Sequence, residues 1–444
     1  MGRLMSEACF ENQAARRTTS QKSMLQLWFV ANTVLWPLSI KVGERHVQPN
    51  EVLLVVAGTF WLFRSRRITT SSIKVLLAFL AYFLLSLAAA WAGPCVDLFD
   101  KSFSTALLLM LLILIGVEVG RRVSSGDWLR VQKAATWSLI AAFGGFCVEA
   151  LAPAWFPNQT GYRATGRLSG LFSEPSAAAF SLVPCVVVLL VAERKSVRRR
   201  GMFALLGLLL VSRSSTLIAL VAAWLLYRFL VKRKLKLALQ IAVGVALFTA
   251  LASTLNYELL LAPTVNRAIG VTAASDANNL SSLVYVQGWQ DAWANLVRTR
   301  GLGLGFNMMG CHPLPDVPTR RALGLIVEGF DELNAQDGSI LFGKVVSEAG
   351  VFGIAFFIAV ICWWIRLERD MATHRDDPAY FAVAVQSALV FSFLASSFIR
   401  SSGYFCGSLL LLVTAVSAAT KWQAQLKRQP HLLSALKPTH RAIL

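Results

Sequence analysis

Residues 379–399, AYFAVAVQSALVFSFLASSFI, run for 21 positions without a charge. As a helix rising 1.5 Å per residue, such a stretch spans about 30 Å, the hydrocarbon thickness of a bilayer. Apolar runs of comparable length fall at 24–42, 74–92, 103–119, 133–151, 176–192, 236–255, 338–365 and 404–420, with three shorter ones at 48–63, 201–212 and 216–230. The last two flank the polar tip Ser212, Arg213, Ser214 and Ser215, which predicts a helical hairpin turning at one membrane face. The chain is 56% apolar and 15% charged, with mean hydropathy +0.57, a composition foreign to water-soluble domains of this length. The predicted fold is all-α: a polytopic integral membrane protein with about 12 transmembrane helices and a large periplasmic loop between helices 9 and 10.

The charges give the orientation. The formal net charge is +19, from 43 Lys and Arg against 24 Asp and Glu. With the amino terminus inside, 30 of the 43 basic residues fall on cytoplasmic segments, which carry +21 in total, while everything else sums to −2. Basic excess on cytoplasmic loops is how membrane chains are oriented. The +19 is therefore a topology signal, and nucleic acid is not an expected partner. Both termini are placed in the cytoplasm, as tails over 1–22 and 421–444, flanking a membrane domain over 23–420 with periplasmic loops at 152–175 and 256–337. No cleavable signal peptide is expected, because residues 1–22 are polar and basic and the first apolar run is long enough to remain as a span. Of seven cysteines, Cys147, Cys185, Cys362 and Cys406 fall in apolar runs and Cys9 in the cytoplasmic tail. Cys95 and Cys311 alone face an oxidising compartment, so theirs is the one pairing for which a disulfide comes into question. No P-loop, dinucleotide fingerprint, metal-type spacing or internal repeat is present.

Chemistry is expected on the outer side, where the loops are long. The first loop carries GYRATGRLSGLFSEPS (161–176), with Arg163, Arg167 and Glu174. The second holds YVQGWQDAWANLVRTRGLGLGFN (285–307), a helix-like segment with Asp291 and Arg298 that runs into glycines 301, 303 and 305. Alternate glycines let backbone approach a ligand closely, although a plain turn has the same composition. Trp289 and Trp293 are placed to stack on sugar rings. In the run starting near 338, Lys344 and Glu348 are four apart and share a helix face, where they form either an ion pair or part of a site. Arg213 tips the hairpin and Arg400 ends the next-to-last span. Several arginines at the outer boundary would hold a diphosphate through bidentate hydrogen bonds, at the depth where a lipid-linked diphosphate sits. Interleaved acids would serve as base on a sugar hydroxyl. Asp331 and Glu332 lack a third ligand nearby, Glu44, Arg45 and His46 read as a solvated turn, and His312 as a surface histidine. Glu149 is the one ionisable residue assigned to mid-bilayer.

Together, GLFSEPS (170–176) with its preceding arginines, SRSST (212–216), GLGLG (301–305), SEAGVFG (347–353) and FIRSSGYF (398–405) resemble the O-antigen polymerase and O-antigen ligase superfamily, and RLSGLFSEPS with FIRSSGYF looks closest to bacterial exopolysaccharide polymerases. The resemblance implies a metal-independent, inverting glycosyltransferase of the inner membrane that needs no cofactor. It moves a growing glycan from undecaprenyl diphosphate onto the non-reducing end of a lipid-linked repeat unit at the periplasmic face, alongside a repeat-unit flippase and a chain-length regulator. Diphosphate and substrate binding then fall to Arg163, Arg167, Arg213 and Arg400, with Lys344, Asn334, Gln336 and Arg298 beside them, and the catalytic acids to Asp337, Glu348 and Glu174. The ligase-type motif opens with His-Asn about eleven residues before Gly350, where this chain has Ser339 and Ile340. That departure favours polymerase over ligase and makes Asp337 the expected base. A ligase-like glycan transferase, or a transporter or flippase for a lipid-linked or anionic solute, are the alternatives.

Overall fold

The computed structural model describes residues 24–35, 40–42, 45–47, 49–65, 68–91, 99–123, 127–155, 168–172, 174, 175–192, 194–212, 214–230, 280–326, 332, 335–336, 338–373, 380–399 and 403–428. Within them the chain is helical apart from one small hairpin. Helix α1 covers 24–31, and strands β1 (Ile40–Val42) and β2 (Arg45–Val47) pair antiparallel with Lys41 opposite His46. There follow α2 (Pro49–Ser65), α3 (Thr70–Trp91), α4 (Phe99–Arg122), α5 (Trp128–Leu151), α6 (Pro175–Leu190), α7 (Lys195–Ser212) and α8 (Ser215–Leu230). After the 231–279 interval come α9 (Leu280–Arg298), α10 (Pro318–Ile326), α11 (Leu341–Ala349), α12 (Val351–Thr373), α13 (Tyr380–Ile399) and α14 (Gly407–Arg428).

Five of these contain stretches long and apolar enough to cross a membrane: Thr70–Ala88, Asp100–Arg122, Trp128–Leu151, Val351–Arg369 and Phe381–Ile399. Val52–Phe63, Pro175–Leu190 and Gly407–Ala419 are apolar but shorter. Their arrangement suits lipid. The α13 window is 89% buried and that of α3 only 17%, yet both have the same hydropathy of 1.9. Water would not tolerate α3 presenting Ile73, Leu77, Leu80, Leu84 and Leu85 outward; hydrocarbon does. Inside the bundle, small and hydroxyl residues are buried among the large apolar side chains, as expected where apolar surface has no water to escape. On α13, Ser392, Ser396 and Ser397 are buried and return their hydroxyls to carbonyls one turn earlier, at 2.7–2.8 Å. Every residue of α6 except Phe180 is buried, and α6 packs against α5, α7, α8 and α13, so α6 and α13 are the central pair. Pro175 at its first position, with Glu174 extended at the N-cap (φ −153°), starts α6 where a missing N–H costs nothing.

Two of the expected spans are divided differently. The run 24–42 is not one helix: α1 ends at 31 in a turn. There the Asn32 amide donates to the Trp28 carbonyl at 2.7 Å and the Thr33 hydroxyl to the Phe29 carbonyl at 2.9 Å. The Trp28 carbonyl also keeps the Asn32 backbone N–H at 3.1 Å, while at Phe29 the hydroxyl takes the carbonyl that a continuing helix would give to the Thr33 N–H. The run 338–365 is likewise broken, between α11 and α12, at Gly350 (φ 57°). The Gly350 N–H still bonds Val346, but that of Val351 turns to the Gly301 carbonyl at 2.9 Å, and a Cβ on Gly350 would lie 1.9 Å from that oxygen. Lys344 and Glu348 therefore sit on a separate nine-residue helix, outside the long span. Gly350→Ala should lower stability by at least about 2 kcal/mol, from left-handed strain plus displaced backbone. Gly144→Ala, where a Cβ meets nothing within 4 Å, is the matched control, and equal melting temperatures in detergent would refute the account. The loop expected over 256–337 contains α9 and α10, and the span expected at 236–255 lies outside the described residues.

Candidate functional site

The site is built around Glu348, near the end of α11. It is buried, as is Lys344 one turn earlier, and the Lys344 Nζ lies 3.1 Å from Glu348 Oε1. The ion pair is only part of the arrangement. Glu348 Oε1 also accepts the Met309 N–H at 3.0 Å, while Oε2 accepts the Asn307 N–H at 2.7 Å and the Tyr404 hydroxyl at 2.5 Å. A carboxylate offers about four lone-pair sites, two per oxygen, and here all are taken. In this geometry Glu348 has no lone pair left for a substrate hydroxyl. It organises the site, where the sequence had suggested a catalytic acid. Lys344 donates onward to the Gln336 carbonyl at 2.5 Å and lies 5.6 Å from the centre of the Tyr404 ring.

The glycine turn belongs to the same construction. Gly301, Gly303 and Gly305 have φ of 85°, 85° and 104°, and a Cβ on Gly303 would meet the Glu348 carbonyl oxygen at 2.4 Å. Leu304 N–H donates to the Ser347 carbonyl and Gly305 N–H to that of Glu348, both at 2.9 Å. These are terminal carbonyls of α11 that the helix itself leaves unpaired. The close approach that the glycines permit is thus to α11.

On the other side of α11, the Asn295 amide of α9 donates to Ser347 Oγ at 3.1 Å. Asp291, one turn earlier, pairs with Arg320 of α10 at 2.7 Å, and Gln287, with its amide oxygen turned inward, accepts from the same guanidinium at 3.1 and 3.2 Å. Burial pushes the Asp291 carboxyl above its usual range, against the opposing pull of Arg320. Arg298 donates to the Pro313 carbonyl at 2.6 Å. Asp291, Asn295, Arg298 and Arg320 line a narrow crevice with no room for a water molecule, and the buried Oδ1 atoms of Asp291 and Asn295 have no hydrogen-bond partner among the described residues.

A second junction forms at the end of α5. Glu149 is fully buried there, two residues before the helix ends; the mid-bilayer position assigned to it gives way to this one. Its Oε2 accepts the N–H groups of Ser169 at 2.8 Å and Gly170 at 2.6 Å. The adjacent Leu168 N–H donates to the Val211 carbonyl at 3.1 Å. The backbone next to Arg167 is therefore fastened to α5 and to α7, two residues before Arg213.

Of the residues singled out in the sequence, Lys344, Glu348, Gln336 and Arg298 gather around α11 and α9. Gln336 is tied to Lys101 of α4 through its side-chain oxygen at 2.7 Å. Glu174 stands at the α6 N-cap, its carbonyl accepting the Ala178 N–H at 3.2 Å. Arg163, Arg167, Arg213, Arg400, Asn334 and Asp337 lie outside the described residues. The backbone around Asp337 is nonetheless held: Gln336 receives Lys344, and Gly338 packs on Met309 and Lys344. Tyr404 and Glu149 were missed as functional groups, although Tyr404 stands inside the quoted FIRSSGYF. Cys311 is disulfide-bonded, and Cys147, Cys185, Cys362 and Cys406 are free; Cys95, the pairing considered from the sequence, lies outside the described residues, as does Cys9. Among the described residues no three His, Cys, Asp or Glu gather as metal ligands, and His312 and Glu332 are exposed.

No protein-family model matches this chain, and no significant match was found among curated proteins. The geometry does bring the quoted motifs together in pairs. GLGLG closes on SEAGVFG through the Leu304 and Gly305 N–H groups, and SEAGVFG meets FIRSSGYF through Glu348 and Tyr404. The residues ending RLSG reach the helix end that opens SRSST, through Leu168 and Val211.

Proposed function

We propose that this chain is a repeat-unit polysaccharide polymerase, a metal-independent inverting glycosyltransferase of the bacterial inner membrane. It transfers a growing glycan from undecaprenyl diphosphate to the non-reducing end of a lipid-linked repeat unit at the periplasmic face, in exopolysaccharide or O-antigen synthesis. The observation that supports this reading is the spatial pairing of motifs far apart in sequence, since residues 301–305 bond the backbone carbonyls of Ser347 and Glu348 while Tyr404 of 398–405 bonds the buried Glu348 carboxylate.

The topology that goes with it has about 12 spans, cytoplasmic termini and the 152–175 and 256–337 segments in the periplasm. The disulfide at Cys311 supports that side for the later segment, because such bonds persist in oxidising compartments. In the described apolar helices the Asp, Glu, Lys and Arg residues keep to within about two turns of the ends, Arg366 of α12 and Lys421 of α14 lying deepest. A route for an ionic solute would require them near the middle, so this distribution favours chemistry at one face over transport.

In the mechanism, Arg163, Arg167, Arg213 and Arg400 hold the diphosphate and stabilise the charge it gains on leaving. Asp337, which follows Gln336 and precedes Gly338 in the chain, orients or deprotonates the acceptor hydroxyl, which attacks the anomeric carbon from the face opposite the departing lipid diphosphate. Glu348 and Glu149 position these loops. The test is reconstitution: purified protein in proteoliposomes, supplied with undecaprenyl-diphosphate-linked repeat units, should build polymer at an unchanged rate in EDTA. No polymer, or a rate restored only by a divalent ion, would overturn the reading, with Asp331 and Glu332 the first ligands to examine.

A further inference from the structure

Helix α9 has its polarity reversed. Its buried stripe, at four-residue spacing, is Gln287, Asp291 and Asn295, and its outward stripe at the same spacing is Trp289, Trp293 and Val297. Trp293 is 69% and Val297 59% exposed. A helix capping the bundle from water would turn the other way, since placing two tryptophans and a valine in water while burying an aspartate is unfavourable on both counts.

The outward stripe is also continuous with surface that belongs in lipid. It runs through Leu302 to Val351, Phe352 and Phe356, exposed at the start of α12, and the join is made by the Val351 N–H on the Gly301 carbonyl. Farther along, Ile358 and Ile365 continue the exposed face of the same apolar span. Trp289 fixes the level of the helix. Its ring stacks on Phe398 (6.2 Å, 17°) and lies 4.9 Å from Phe342, which in turn meets Phe357 at 5.1 Å. Phe357 and Phe398 sit at the adjoining ends of α12 and α13, and Phe342 stands on α11.

We propose that α9 lies in the membrane interface at this end of the bundle, with Trp289, Trp293 and Val297 bedded in phospholipid and the polar stripe turned to the protein. Amphipathic helices at the headgroup level use tryptophan in this way, with an apolar body in the acyl region and a polar edge outward. A sugar-stacking platform fits the neighbourhood less well, because Val297, Leu302 and Val351 are aliphatic and offer no ring face. The inference rests on the membrane reading of the chain and holds whichever glycan is joined.

The test uses the full-length protein in nanodiscs of phosphatidylcholine and phosphatidylglycerol, with its free thiols replaced by serine and a nitroxide carried on Trp293→Cys. Collisions with dissolved oxygen should exceed those with a water-soluble nickel chelate several-fold. Val297→Cys should report the same, Arg321→Cys on exposed α10 the reverse, and Phe352→Cys should read lipid. If Phe352 reads lipid while Trp293 and Val297 read water, the membrane reading stands and this inference falls. Shielding of Trp293 from both reagents, with spin–spin broadening as protein per disc rises, would assign the stripe to a second copy and overturn it as well.

Discussion

Glu348→Ala is expected to destabilise the protein by about 3–5 kcal/mol, the cost of leaving a buried charge without its partner. The substitution leaves Lys344 buried with no counter-charge and strips acceptors from the Asn307 and Met309 N–H groups and the Tyr404 hydroxyl together. Comparison with the partners makes the test specific. Lys344→Met leaves Glu348 three donors and should cost less than Glu348→Ala. Tyr404→Phe removes a single hydrogen bond to a charged acceptor, about 1.5–3 kcal/mol. Thermal unfolding in detergent or nanodiscs should therefore rank Glu348→Ala as the most damaging of the three. If Glu348→Ala melts with the parent while losing activity, the carboxylate acts on substrate and the positioning role assigned to it is wrong.

Arg163→Ala and Arg400→Ala should each abolish high-molecular-weight glycan in cells, with the variant still present in the membrane at the parental level. A guanidinium can present two parallel donors to a diphosphate, and removing one such donor from a site of developing negative charge reduces turnover by about 10²–10³. Lysine, a point charge without the planar fork, should restore only part of the loss. The diagnostic is where the substrate accumulates. Lipid-linked single repeat units should build up on the periplasmic side, since supply continues while consumption stops. Units retained on the cytoplasmic side would mean that crossing the membrane is the step lost, and the chain would be a flippase.

The apolar helices were legible because hydropathy is a local property: α5 and α13 begin within five residues of the runs read from composition and end at the same residue. The break at Gly350 was not, because apolar residues continue across it and its cause is the Gly301 carbonyl, 49 positions earlier. For α9 the helical period could be read, but not its facing, which depends on the solvent around the helix. The Lys344–Glu348 pair was visible as two charges four apart, whereas the Tyr404 hydroxyl and the two backbone donors arrive from other parts of the chain and leave no local mark. The same holds for Glu149. Its acceptors' partners are the amides of residues 169 and 170, and an amide has no letter in the sequence.

That last property has an evolutionary side. Glu149 and Glu348 both grip main chain, at residues 169, 170, 307 and 309. At Ser169 and Met309 such a mooring sets no demand on the side chain, so it can change in the course of descent while the mooring stays, whereas Gly170 (φ 60°) and Asn307 (φ 54°) are constrained by their backbone.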